Sequence, residues 1–532
     1  MTDAPGTDGA AAAARIAAGY ATDGPAIDLG SVVLAGSPHP DAHVRVPLAM
    51  LNRHGLIAGA TGTGKTKTLQ LIAEQLSAAG VPVVLADLKG DLAGLVKPGE
   101  SGDRVTRRAA DTGDTWVPTG FPVDYLALGG LGTGIPVRAT ITDFGPVLLS
   151  KILDLNETQE SSLGLVFHYA DKAGLPLLDL RDLRAVLSWL TSDEGKADLA
   201  GLGGLSSATV GVILRELIAL EDLGGDVFFG EPAWDPADLL RLAPDGRGVI
   251  SAVELMAIQD RPALFSTFLM WLLADLFEEL PEVGDLDRPK LVFFLDEAHL
   301  LFTGASKAFL ESVTQTVRLI RSKGVGVFFV TQNPTDLPSA VLGQLGNRVQ
   351  HALRTFTPED ADALRKTVRT FPTSADYDLG ELLTSLGTGE AAVTVLSERG
   401  APTPVAWTML RAPRSSMGAV DEPARSAVVA ASPLQAKYGA AVDRDSAYER
   451  LAARMAPPTS PPPPPSARRQ PEDAEPRARE APARRRRTSE GADPGVVGTV
   501  LASSAFRAFT RSAASALGRE ISRGLFGTRR RR

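Results

Sequence analysis

The stretch GATGTGKT, residues 59–66, follows the short apolar run Leu56-Ile57-Ala58 and opens a helical pattern over residues 65–79. Glycines at 59, 62 and 64 let successive backbone N–H groups close around phosphate oxygens, and the helix that follows adds the positive end of its dipole. Lys65 is long enough to reach the β- and γ-phosphates of a bound nucleotide, and the Thr66 hydroxyl is a candidate Mg²⁺ ligand. The candidate phosphate cradle is therefore Gly59, Ala60, Thr61, Gly62, Thr63, Gly64, Lys65 and Thr66. Residues 81–86 read as the next strand, completing a β-loop-α-β unit of the parallel-sheet kind.

Three further stretches end apolar strands with polar groups, and open α/β sheets bind ligands at that edge. In LVFFLDEAH, residues 291–299, five apolar residues precede Asp296 and Glu297. Asp296 suits the Mg²⁺ shell, and Glu297 suits a general base that polarises the attacking water. In VFFVTQNP, residues 327–334, Gln332 is a candidate for contacting the γ-phosphate, although a turn residue there reads equally well. In ADLKGDL, residues 86–92, Asp87, Lys89 and Asp91 are candidate site-lining groups. Arg53 just before the first strand, and Arg318 and Arg321 in VRLIRSKGVGV, are candidates for stabilising transition-state charge or are surface residues.

Outward from these motifs the chain divides by composition. Residues 1–28 are rich in Ala, Gly and Asp and read as a mobile N-terminus. Residues 29–144 hold the first part of an α/β core, and residues 145–243 read as a helical insertion, with apolar positions three to four apart at 147–155, 159–172, 179–190 and 206–223. Residues 244–456 return to the core, with strands expected at 248–253, 291–295, 325–330, 348–353 and 391–396 and helices at 261–280 and 306–323. Strands alternating with helices predict a doubly wound parallel sheet. Residues 457–495 are a Pro/Arg-rich linker expected to be disordered, and residues 496–532 space Phe506, Phe509, Leu517, Ile521 and Leu525 among arginines as a basic amphipathic helix.

Of 532 residues none is cysteine, which excludes disulfides, thiolate metal sites and cysteine nucleophiles. The net charge of −8 is unevenly spread: residues 457–532 carry 16 Arg against 7 acidic residues, so the remainder carries −17. An acidic body with a basic tail confines any polyanion contact to part of the surface. The most apolar stretch, 264–277, is interrupted by Asp275 and reads as a buried helix rather than a membrane span. With no secretory pattern at the start, the expected compartment is the cytoplasm.

The segments RHGLIAGATGTGKT (53–66), LADLKGDL (85–92), LVFFLDEAHLLF (291–302), IRSKGVGVFFVTQNP (320–334) and LGNRVQHALRTFTPED (345–360) together resemble bacterial HerA-like ATPases of the HerA/FtsK group, YjgR-like branch. The resemblance implies a RecA-like P-loop core, hydrolysis of ATP with Mg²⁺, and a hexameric ring that moves DNA. By motif position it gives Lys65, Thr66, Asp296, Glu297 and Gln332 as the nucleotide machinery. It further implies that Arg321 senses nucleotide in cis and that Arg53 is the finger supplied by a neighbouring subunit. The expected function is a DNA-translocating ATPase. The alternative is an ATP-switched scaffold that recruits protein partners through its linker and tail, and the basic tail helix is also a candidate for docking on anionic lipid.

Overall fold

Alternate residues of the central strands point into two separate apolar cores, which is why helices cover both faces of one sheet. Leu56, Ala58, Val84, Ala86, Phe293, Leu295, Val327 and Phe329 enter one core. Ile57, Val83, Leu85, Val292, Phe294, Phe328 and Val330 enter the other. Strands buried on both faces read as unbroken apolar runs, the pattern that betrayed them in the sequence. The computed structural model describes residues 5–153, 155–199, 203–222, 224–256, 262–284, 286–302 and 307–455. The expected linker at 457–495 and tail helix at 496–532 lie outside the described residues.

The strands are β1 (Ala26–Leu34), β2 (Ser37–Pro47), β3 (Gly55–Ala58), β4 (Val83–Asp87), β5 (Val123–Leu128) and β6 (Ile135–Val137), then β7 (Ile250–Glu254), β8 (Leu291–Leu295), β9 (Val325–Thr331), β10 (Asn347–Gln350), β11 (Glu390–Thr394) and β12 (Ala406–Leu410). They form one sheet in the order β2-β1-β12-β11-β10-β3-β9-β8-β4-β7-β5-β6. Every neighbouring pair from β10 to β6 is parallel. The β11, β12, β1 and β2 extension is antiparallel. The central order β10-β3-β9-β8-β4 puts the phosphate loop after β3 between the ends of β9 and β10. The mixed α/β, RecA-like core expected from the sequence is thus present, with an antiparallel edge that the sequence reading did not contain.

Helix Lys65–Ala78 packs Leu69, Ile72, Ala73 and Leu76 into the second core. Helices Pro262–Glu279 and Lys307–Ile320 lie against the first. The helical block consists of Ile141–Ile152, Glu157–Lys172, Leu180–Thr191 and Ser207–Asp222. It joins the first core through Phe144, Phe228, Phe229 and Trp271, whose rings meet edge-on, Phe144 and Phe229 at 5.2 Å between centroids.

Two expected boundaries need correction. Residues 1–28 were expected to be mobile, yet Pro5–Ala18 is a helix that buries Ala13 and Ile16. The Tyr20 hydroxyl donates to Val393 O at 2.7 Å, anchoring this segment beside β11. Its small residues hide the packing, because Ala gives little apolar contrast while still fitting closely against a sheet edge. Residues 244–456 were expected to be core throughout, but 433–455 fold onto the helical block. Tyr438 stacks on Trp234 at 4.4 Å, Leu451 is buried there, and Asp182 accepts a hydrogen bond from Tyr448 N at 2.8 Å.

Candidate nucleotide site

The phosphate loop is held by backbone hydrogen bonds to the strands on either side of it. Gly59 N donates to Thr331 O and Gln332 O at 3.2 and 3.1 Å, and Ala60 N donates to Ala352 O at 2.8 Å. The loop is therefore pinned to the ends of both flanking strands. Inside it, Thr63 Oγ1 and Lys65 Nζ both donate to Ala60 O, at 2.7 and 3.2 Å. Gly389 N donates to Thr63 O at 3.0 Å, so the turn before β11 braces the loop from outside. That turn is held by the Arg108 guanidinium, which donates to Gly389 O at 3.0 Å and to Thr388 O at 3.1 Å.

Left-handed backbone requires glycine at three positions of this cradle, one of them Gly62 at φ +80°. Gly59 has φ +154°, and a Cβ there would lie 2.5 Å from His351 Cβ. Gly64 has φ +113° and caps helix Lys65–Ala78 without a side-chain bond. The first-turn N–H groups of that helix thus stay directed at the loop, where they attract anions.

Across from the loop, β8 delivers Asp296 and Glu297. Asp296 is buried; its Oδ1 accepts from Glu297 N at 2.9 Å, and its Oδ2 has no hydrogen-bond partner among the described residues. Burial pushes the Asp296 carboxyl up to about 7, helped by the neighbouring Glu297 charge. An uncompensated carboxylate oxygen in such a place costs free energy unless a cation completes it. Glu297 has φ 45° and ψ 44°, left-handed backbone that costs about 1–2 kcal/mol for a non-glycine residue. Its carboxylate forms an ion pair with Lys89, and its second oxygen lies 3.3 Å from His299 Nδ1. Burial raises the Glu297 carboxyl, but Lys89, His299 and Lys65 outweigh it and hold the group below the usual carboxylate range. Desolvation lowers the Lys65 ammonium, opposed by Glu297 and Asp296.

The structure therefore brings together residues 59–66, Asp296, Glu297 and the exposed Gln332 at one sheet edge. Asp87 ends β4 beside the strand that leads into Asp296, and its carboxylate accepts from the N–H groups of Lys89, Gly90 and Leu92, shaping the turn after β4. Arg53 and Arg321 are brought together elsewhere. Both lie close enough to His54 to bear on its charge, and His54 precedes β3 at the opposite edge of the sheet. β9 runs from Val325 to Thr331 between Arg321 and Gln332, a span of about 20 Å at ~3.3 Å per residue. The expected cis role for Arg321 does not fit this geometry, because a guanidinium reaches only a fraction of that distance. His351 and Arg108 brace the loop but were missed as site residues, since neither belongs to a phosphate-binding spacing.

Fit to a nucleotide and Mg²⁺ rests on the glycine cradle and on the orphaned Asp296 Oδ2. Thr66, in the first turn of helix Lys65–Ala78, and Asp296 are the residues that would hold the ion. Among the described residues no helix is long and apolar enough to cross a membrane.

No curated protein matches the chain. Among solved structures it is similar to the bacterial conjugative coupling protein TrwBΔN70 in its unbound form, at 15% identity and TM-score 0.47, over 76% of this chain and 93% of that one. It is also similar to the plasmid coupling protein TrwB in complex with the non-hydrolysable ATP analogue ADPNP, at 17% identity and TM-score 0.48, over 75% and 99%. VirB4 of Thermoanaerobacter pseudethanolicus follows at 15% identity and TM-score 0.43, over 74% and 98%. The model of the helicase HerA-like C-terminal family matches residues 33–532, nearly the whole chain, and the chain belongs to that family.

Proposed function

We propose that this chain is an ATPase motor that couples hydrolysis of the γ-phosphate bond to movement of DNA. The observation that carries the ATPase reading is the convergence of the glycine cradle, Lys65, Asp296 and Glu297 at one sheet edge, with one Asp296 oxygen unsatisfied. Lys65 neutralises the β- and γ-phosphate oxygens, and the loop N–H groups hold them in line. Glu297 accepts the proton of the attacking water, a role suited to a carboxylate kept ionised by Lys89. Gln332, exposed beside Gly59, contacts the γ-phosphate and reports its loss. Mg²⁺ held by Thr66 and Asp296 supplies charge neutralisation of the phosphates when bound.

Movement of DNA rests on membership of the HerA-like family, together with the position of the arginines. Arg53 and Arg321 are too far from their own loop to meet its phosphates, so a role at the transition state requires a neighbouring subunit, as in a ring. The test is steady-state ATPase of the intact chain with and without DNA, beside Glu297→Gln. Turnover that rises with DNA and vanishes in the variant supports the motor. Turnover that needs Glu297 but ignores DNA at low salt removes the DNA coupling. That second outcome would favour a scaffold switched by ATP, a reading supported by the proline run at residues 457–465 and the basic tail.

A further inference from the structure

Phe356, in the segment that follows β10, is 86% exposed, more than any other large apolar side chain among the described residues. A ring on a loose tip would mean little, but this one stands on held backbone. Phe356 N and Thr357 N both donate to Asp360 Oδ2, at 3.0 and 2.9 Å, and Asp360 N donates to Thr357 Oγ1 at 3.2 Å. These bonds form the capping box of helix Pro358–Val368. Three residues before Phe356, Leu353 N donates to Leu383 O at 2.8 Å. The segment is tied at both ends while its ring faces water.

The same segment starts at the nucleotide site. Ala352 O accepts from Ala60 N at 2.8 Å, and the four residues from there to Phe356 span at most about 14 Å. The strand order β11-β10-β3-β9-β8 gives the site a direction. The phosphate loop follows β3, Gln332 follows β9, and Asp296 and Glu297 follow β8, so the γ-phosphate end of a nucleotide points across β9. The α-phosphate and the nucleoside then run the opposite way, over the end of β10, which lies beside β3 on its other side. Two stretches of chain rise there. The turn before β11 is Gly387-Thr388-Gly389, which offers no ring, and its Gly389 N is already engaged by Thr63 O. The segment after β10 offers Phe356.

We propose that Phe356 is the platform on which the base of the bound nucleotide stacks. This rests on the reading of residues 59–66 as the nucleotide's phosphate cradle. Stacking on an aromatic face is tolerant of base identity, because every base has a π-face. The platform therefore adds affinity for a nucleoside triphosphate over bare phosphate without selecting adenine from guanine.

The test is calorimetric titration of the native, Phe356→Ala, Phe356→Trp and Lys65→Ala chains. The ligands are a non-hydrolysable ATP analogue, its GTP counterpart and inorganic tripolyphosphate, each with Mg²⁺. Phe356→Ala should weaken both nucleotides roughly tenfold or more and leave tripolyphosphate at its native affinity. Phe356→Trp should bind nucleotide at least as tightly as the native chain, and in turnover Phe356→Ala should raise KM for ATP with kcat near native. Equal weakening of nucleotide and tripolyphosphate would overturn the platform, because it shows a disturbed loop rather than a lost base contact. Native nucleotide affinity in Phe356→Ala would also overturn it. A fall in oligomer mass beside that native affinity would give the ring to a second copy of the chain, and a lost response to single-stranded DNA would give it to a nucleic-acid base. Native ATP binding by Lys65→Ala would overturn the cradle reading itself, and the platform with it.

Discussion

His351 Nε2 lies 2.8 Å from Thr68 Oγ1, joining the end of β10 to the helix that carries the phosphate loop. The same histidine places its Cβ where a side chain at Gly59 would otherwise sit. The strand beside β3 therefore sets the shape of the cradle from underneath. His351→Ala removes this strut while keeping the Cβ. It should lower stability by about 2 kcal/mol and weaken nucleotide binding about tenfold. Denaturant unfolding and titration with a non-hydrolysable ATP analogue measure the two effects, and native values in both would refute the strut.

His351 and His54 are both fully buried, and burial lowers each from the ordinary histidine value to about 4. Each is neutral in the folded chain, and His54 Nδ1 accepts from Val327 N at 3.0 Å. Because the unfolded chain binds protons first, the stability they contribute is complete above about pH 6.5 and is lost as pH falls towards 4. The loss is on the order of 3 kcal/mol for each histidine. His351→Asn should make the unfolding midpoint fall less steeply than the native one between pH 6.5 and 4.5. Parallel curves would show that His351 does not titrate in this way.

Lys65→Ala should abolish tight nucleotide binding, whereas Glu297→Gln should leave binding within a few-fold and reduce kcat by at least about 100-fold. Asp296→Asn should raise the Mg²⁺ concentration needed for half-maximal turnover, because it removes the charge on the unsatisfied oxygen. A Mg²⁺ titration in which the variant matches the native chain would remove Asp296 from the ion's shell.

Glu74 is buried in helix Lys65–Ala78 and accepts the N–H groups of Arg414 and Ser415 at 2.7 and 3.0 Å. Gln70 reinforces this clasp by donating to Ser415 Oγ at 2.7 Å and Ser416 O at 2.9 Å. Glu74→Ala strands the buried N–H and hydroxyl of Ser415 and the half-buried N–H of Arg414, and should cost about 3 kcal/mol in unfolding experiments. Glu74→Gln retains an acceptor and should cost less. Equal effects of the two substitutions would show that the acceptor does not matter.

Arg53 and Arg321 sit at the sheet edge opposite the loop, so any action on phosphate has to cross a subunit boundary. Arg53→Ala and Lys65→Ala chains, each inactive alone, should regain part of the native turnover when mixed. Mixed sites would pair an intact loop from one chain with an intact arginine from the other. No recovery across a range of ratios would exclude supply of Arg53 by a neighbour.

The placement of the candidate site was legible because it is local: residues 59–66 and Asp296-Glu297 each follow an apolar strand and reveal their sheet edge by position alone. What was illegible depends on long-range pairing. β6 has only three residues, and Ile135–Val137 gains its place only by lying beside Leu126–Leu128. Helix Pro5–Ala18 is masked by alanine, which packs well without standing out. The cis assignment of Arg321 failed because sequence shows that it precedes a strand, not how far that strand carries the chain. His351 and Arg108 act through contacts with residues hundreds of positions away, which no local spacing announces.

The pairing of β1 with β12, Gly30 opposite Leu410, also bears on how the chain is made. Synthesis from the N-terminus at ~5–20 residues per second leaves β1 without its inner partner for roughly 20 to 80 seconds. During that interval the β1–β2 hairpin presents an open row of backbone donors and acceptors, the feature that invites pairing with other chains. A ribosome-bound nascent chain halted before residue 406 should therefore depend on chaperone protection, and release through residue 410 should end that dependence.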